Sequence, residues 1–273
     1  MEGFKHYRIG SFARYLCVTT SFLKHYEDEG LISVVQQDNG YRYYPFPEAA
    51  HILEYMRLHS YGVPLKEMRT AVTGPTETAF ENIDRHADEL QKKADRLQAI
   101  VDEHRRFRKW YEDMVGDASR WEVKKIDPVY FLPHSEGQEF LDDERIYEIF
   151  PAWSDSMPLV KTGLYVKKNP KTPGTNDIFW GLCVTESNLR KAGIPVNDAV
   201  WKLPSGPAFL YHFCDLFRPT CMKDVRVNRH PAFEKMRELG FRASGDALIA
   251  VDMKLEKDGV KRGFGRVVIP MAE

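Results

Sequence analysis

"LKHYEDEGLISVVQQDNGYRYY", from Leu23 to Tyr44, decides how the first third of the chain is read. It begins with helical residues, halts at Gly30-Leu31, passes Asp38-Asn39-Gly40 and returns through Tyr41, Arg42, Tyr43 and Tyr44. Glycine stops helices because it adopts the left-handed conformation without a Cβ penalty, and Asn-Gly is the strongest short hairpin signal. The spacing therefore predicts a helix, a short link and a tight hairpin. Side chains alternate between the faces of a strand, so about half of the returning arm must face water. Two readings of that arm stand. Either Tyr41 and Tyr43 pack on the core beside a solvated Arg42, or the arm presents hydroxyl and guanidinium donors to phosphate oxygens.

Working outward, Ile9, Phe12, Ala13 and Leu16 in "RIGSFARYL" form an apolar stripe at helical spacing. Thr19 and Thr20 are suited to cap the helix that runs to Gly30. Two short helices so separated make a helix-turn-helix pattern, and the hairpin after them makes it a winged one. "PFPEAAHILEYMRLHSYG" predicts a third helix, and "PLKEMRTAV" a fourth that starts with proline in its first turn. From Pro75 to about Val115 the pattern changes: Phe80, Ile83, Ala87, Leu90, Ala94, Leu97, Val101 and His104 recur three and four apart among charged residues. That seam predicts a helix of about ten turns. It is too polar to be buried in one chain and suits a coiled coil with a second; packing on its own domain is the other reading. After Gly116-Asp117-Ala118-Ser119 the pattern becomes strand-helix-strand-strand, twice over, with "KKNPKTPGTND" and "LPSGP" as turn chemistry. The expected fold class is α+β, with a DNA-reading domain over 1–74, a dimerisation helix over 75–116 and a further domain over 120–273.

The 273 residues suffice for two domains, and 43% hydrophobic with 29% charged residues is a globular composition. No run of about eighteen apolar residues predicts a membrane span. "MEGFKHYRIG" lacks the apolar core of a secretion signal, and four scattered cysteines suit a reducing cytoplasm. Net charge is -1, and residues 1–73 carry eight cations against eight acids. Affinity for a duplex must then come from placed cations and from pairing two copies, not from a global field. Cys214 and Cys221, with His212 and His230 nearby, match no zinc spacing, so neither a metal nor another cofactor is expected.

In order, "YRIGSFARYLCVT", "LKHYEDEGLI", "NGYRYYPFPEAAHILEYMRLHSYGVPLKEMR" and the long helix resemble the MerR family of transcription regulators over roughly residues 5 to 114. The resemblance implies a homodimer joined by an antiparallel coiled coil, bound to double-stranded promoter DNA and acting on RNA polymerase by deforming that DNA. Matched position by position, it implies phosphate contacts from Lys24, Tyr26, Arg42 and Tyr43, and base reading by Thr19, Thr20 and Ser21, with Phe22 beside them. Ser21 stands where a basic residue is common, Phe22 where a small hydroxyl is, and His25 where tyrosine is usual, which implies a different operator. "VWKLPSGPAFLYHF" and "GRVVIPM" resemble strands of the GyrI-like effector domains, implying a cleft between the two halves for a small aromatic or cationic molecule, as in multidrug sensing. Aromatic faces attract flat rings and cations, and Phe209, Tyr211 and Phe213 alternate along one strand, with Tyr165 and Trp180 on neighbouring ones; plain core packing is the other reading. Where multidrug-binding relatives carry a buried glutamate, "DALIAVDMKL" has Ala250 and its neighbours, leaving Glu186, Asp215, Asp246 or Asp252 as candidate counter-charges and a neutral aromatic ligand as open as a cationic one. The leading function is a regulator without catalysis. The alternatives are a small-molecule hydrolase using Glu186 and Tyr211, and an architectural DNA binder without a ligand.

Overall fold

Short helices separated by Gly and Pro account for the N-terminal architecture. The protein's structure, a computed structural model, describes residues 3–37, 40–114, 120–216, 221–257 and 259–272. The Asp38-Asn39 part of the hairpin turn and the break at 116–119 lie outside those residues. The chain divides into two compact units, residues 1–95 and 96–273.

Unit one runs β1 (His6–Arg8), α1 (Ile9–Leu16), α2 (Thr20–Asp28), β2 (Val35–Gln36), β3 (Arg42–Pro45), α3 (Glu48–Ser60) and α4 (Leu65–Thr73). Helix α1 ends at Cys17, which takes a left-handed φ of 55°. Helix α2 is entered through Thr19, whose side chain accepts a hydrogen bond from the Phe22 amide at 3.0 Å. It ends at Gly30, φ +66°, where the Leu31 amide donates back to the Tyr26 carbonyl at 2.9 Å, the closing bond of a Schellman motif. The hairpin pairs Val35 with Tyr43 and Gln36 with Arg42. Beyond the sequence expectation, β1 pairs on the other edge of β3, matching Tyr7 to Tyr44 and Arg8 to Tyr43. Phe12, Leu23, Tyr26, Tyr44, Ile52 and Met68 form the core.

Helix α5 (Thr76–Met114) is 39 residues long. Of its expected seam Ile83 packs against the N-terminal core, while Phe80 is 61% exposed, Leu90 40%, Leu97 64% and Val101 42%.

Unit two contains β4 (Trp121–Ile126), β5 (Val129–Glu136), β6 (Glu139–Phe140), α6 (Glu144–Ser154), β7 (Lys161–Lys168), β8 (Asn176–Thr185), α7 (Glu186–Ala192), β9 (Trp201–Leu203), β10 (Gly206–Leu216), α8 (Cys221–Arg226), α9 (Pro231–Glu238), β11 (Ala247–Lys257) and β12 (Val260–Pro270). The strands form one antiparallel sheet in the order β4-β10-β12-β11-β7-β8-β5-β6, with β9 also on β5. The repeat is visible in that order. β5-α6-β7-β8 and β10-α8/α9-β11-β12 are arranged alike, and their second strands, β7 and β11, pair at the centre. The first strand of each repeat is split, into β4 and β5 and into β9 and β10, because Pro128 and Pro204 fall in the breaks and cannot donate to a ladder. The short pieces cross over: β4 pairs with β10 of the second repeat, and β9 pairs with β5 of the first.

One sheet face is covered by α6, α8 and α9, with Phe209, Val225, Met236, Ile249 and Val267 in one cluster and Leu132, Ile146, Trp153 and Leu182 in another. The opposite face carries Phe131, Tyr165, Cys183, Leu210, Leu248, Ala250 and Val268. Gly181 on that face is required by close approach: a Cβ there would meet the Phe131 ring at 2.9 Å and collide with the Leu132 carbonyl.

Candidate nucleic-acid interface and ligand cavity

Helix α2 buries Leu23 and Tyr26 and leaves Thr20, Ser21, Lys24 and His25 exposed on one polar stripe. Thr19 begins that stripe, although its hydroxyl oxygen is engaged as the cap. Tyr26, expected at a phosphate, has its ring in the core. It is 4% exposed, stacks on Phe22 at 4.1 Å between ring centroids, and burial pushes its phenol pKa up. It is a core residue that seats α2 against Tyr55 of α3.

The returning arm of the hairpin divides between water and core. Tyr44 is fully buried against Phe12, with centroids 5.2 Å apart, while Tyr41 is 58% exposed. Arg42 is half-exposed and donates to Glu27 Oε2 at 3.2 Å; the same oxygen accepts from the Tyr44 hydroxyl at 3.2 Å. Burial, then Glu27, pushes the Tyr44 phenol up to about 12. An exposed ion pair of this kind is worth little, so Arg42 can exchange Glu27 for a phosphate. Tyr43 is half-buried and shares a side-chain hydrogen bond with Arg8, whose guanidinium lies 5.2 Å above the Tyr41 ring. Strand β1 thus adds Arg8 to the wing. The sequence reading missed it because a three-residue strand shows no period.

In unit two a cavity of about 440 Å³ opens on the sheet face opposite α6, α8 and α9. Its floor includes Leu210, Leu248, Ala250 and Val268, and Phe107 and Trp110 from the last turns of α5 form part of its wall. Those two rings stack at 5.6 Å. Beside them lies a chain of charges. Lys161 donates to Glu103 Oε1 at 2.8 Å and to Asp252 Oδ1; Arg266 donates to both Asp252 oxygens at 3.2 Å; Arg106 donates to Glu103 Oε2 at 2.5 Å. The Asp252 side chain is 2% exposed, and a carboxylate so buried is tolerable because two cations meet it. Burial pushes Glu103 up, but Lys161 and Arg106 outweigh it and hold the carboxyl below its usual range. Trp110 Nε1–H donates to His212 Nδ1 at 2.9 Å, and His212 Nε2 faces Glu122 at 3.1 Å. That arrangement requires a neutral ring, and burial lowers the His212 pKa accordingly.

The structure does not bring the six expected ligand residues together here. Phe209 and Tyr211 are core residues on the helix-covered face, and Phe213 packs partly buried with them. Trp180 lies near His134, itself stacked on Phe150. Tyr165 is on the cavity's side of the sheet but packs against Phe131 and Trp201, and its hydroxyl engages Asp246. Glu186 accepts from the Tyr130 hydroxyl at 3.2 Å and pairs with Arg190, whereas Tyr211 lies by His230, so the hydrolytic pair is not assembled. Asp246 accepts from the Lys168 amide. The side chains of Cys214, Asp215 and Cys221 lie outside the described residues. Among the described residues no three His, Cys, Asp or Glu side chains are grouped to hold a metal, and no helix is long and apolar enough to cross a membrane.

Residues 7–74 match the model for the MerR HTH family regulatory protein. The chain is 29% identical over 98 residues to the multidrug-efflux transporter 2 regulator of Bacillus subtilis (strain 168); the match covers 35% of this chain and 36% of that relative's length. Two solved structures are similar. EcmrR bound to DNA, by cryo-electron microscopy, is 15% identical over 98% of this chain and 100% of its own, with a TM-score of 0.37. The EcmrR C-terminal domain, by crystallography, is 8% identical over 57% and 98%, with a TM-score of 0.35.

Proposed function

We propose that this chain, which carries a MerR-family helix-turn-helix domain over residues 7–74, is a homodimeric transcription regulator that binds promoter DNA, deforms it for RNA polymerase and answers to a small molecule. The observation that carries the reading is the capped helix α2, whose exposed stripe is polar and holds Lys24, together with a wing holding Arg8 and Arg42. Such a helix enters the major groove, and such a wing grips backbone phosphates. The exposed seam of α5 supports pairing with a second copy, which raises a weak single-head affinity by on the order of a hundredfold or more through effective concentration. The 440 Å³ cavity with its stacked Phe107 and Trp110 supports a ligand of one or two rings. The name of the Bacillus relative, a regulator of a multidrug-efflux transporter, supports an efflux gene as the target. Bending or untwisting a site costs several kcal/mol, so the ligand must favour the deforming state by a comparable margin.

The test is to sequence the genomic fragments that the purified chain retains at moderate salt, with and without a library of aromatic compounds. Enrichment of a near-palindrome, altered by some compounds, is expected. Retention of no fragment above background would sink the regulator reading.

A further inference from the structure

We infer that the cavity selects an anionic aromatic molecule, with its carboxylate at Arg266 and its ring against Phe107 and Trp110. The inference rests on reading the cavity as the effector site and names the class of ligand.

Three observations lead to it. First, both buried acids are already engaged. Asp252 is met by Lys161 and Arg266, and Glu103 by Lys161 and Arg106. A cationic ligand would find no unpaired buried carboxylate, since the remaining wall acid, Asp127, is solvent-exposed, and reaching Asp252 would mean parting it from Lys161 or Arg266. Second, Arg266 gives one terminal nitrogen, Nη2, to Asp252, yet it lines the cavity and its side chain stays 32% exposed. A guanidinium carries five N–H donors, so its exposed part can bond a ligand oxygen without giving up Asp252. Third, the walls carry an excess of positive charge: Arg106, Lys124, Lys125, Lys161 and Arg266 against Glu103 and Asp127. Counting Asp252 and Glu122, which pair with wall cations, still leaves cations in excess. Guanidinium groups bind carboxylates through charge-assisted hydrogen bonds that are stronger than neutral ones, and the stacked rings select a flat skeleton.

The experiment titrates the full-length chain by calorimetry with three probes sharing one skeleton: 2-naphthoate, 2-naphthamide and N,N,N-trimethyl-2-naphthylammonium. The expected order places 2-naphthoate about tenfold or more ahead of the amide, with the ammonium probe weakest. Ala250→Trp, which fills the floor, should abolish binding of all three. Arg266→Gln should reduce the advantage of 2-naphthoate to about twofold, with its melting curve confirming a folded chain; the wild-type comparison does not depend on either variant. If the ammonium probe binds wild type as tightly as 2-naphthoate and Ala250→Trp blocks it, the anionic class is refuted while the effector site stands. If no probe binds, or binding persists unchanged in Ala250→Trp, the effector-site reading falls and the ligand class with it.

Discussion

Arg42 illustrates how a residue's role depends on what it is exchanged against. It is legible in the sequence as a wing cation, yet in the free chain its guanidinium sits on Glu27. Arg42→Ala should weaken binding to every duplex alike and lower the salt slope by about one unit per protomer, as read by fluorescence anisotropy at several salt concentrations; a changed sequence preference instead would mean that Arg42 reads bases. Glu27→Gln should act oppositely, tightening binding by removing the internal competitor. His212 gives a pH prediction. Burial holds its folded pKa below the ordinary 6.5, so the unfolded chain binds the proton first. The stability due to the neutral ring is fully present above about pH 6.5 and is lost as pH falls towards the folded value. Urea midpoints should therefore fall between pH 7 and 5, and His212→Asn, which still offers an acceptor to Trp110, should make that fall shallower. The sequence could not reveal these partners. Trp110 and His212 lie 102 positions apart, and period two says that Phe209, Tyr211 and Phe213 share a face but not which face the helices will cover. That second choice placed the three on the core side, opposite the cavity.

Elements were legible where length gave them a period or chemistry gave them ends. The four short helices and the long one follow from apolar spacing, Thr19, Gly30, Pro64 and the heptad seam. Strands β1 and β9, three residues each, have no period to read. Helix α7 had its signals, Thr185 accepting from the Asn188 amide and Gly193 at φ 61°, but they follow directly on a ten-residue strand. Thr19→Ala removes the α2 cap and should cost about 1 kcal/mol, seen as a lower denaturant midpoint; an unchanged midpoint would show that packing alone fixes the start of α2. The seam of α5 gives the element's own test. Leu90 is exposed in the single chain, and Leu90→Asp should give monomers by sedimentation, with affinity for a two-half-site duplex falling towards that of one head. A variant that still sediments as a dimer would remove the coiled-coil reading.

For the molecule as a whole, ligand and duplex binding must be reciprocal. If 2-naphthoate changes duplex affinity by some factor, the duplex must change 2-naphthoate affinity by the same factor. Titrating each partner in the presence of the other checks this, and unequal factors would exclude a single two-state coupling. The twofold pattern of strands and helix was readable because each repeat is local in sequence. The exchange of β4 and β9 was not, since pairing between segments 70 or more residues apart leaves no trace in spacing. That exchange has a consequence of its own. Each half of the C-terminal sheet holds a ribbon lent by the other, and the two also share the seam between β7 and β11. Halves so interlocked cannot peel apart one at a time. A protease nick between α7 and β9 should leave two fragments that elute together, melt in one cooperative step, and reassemble when mixed after denaturation.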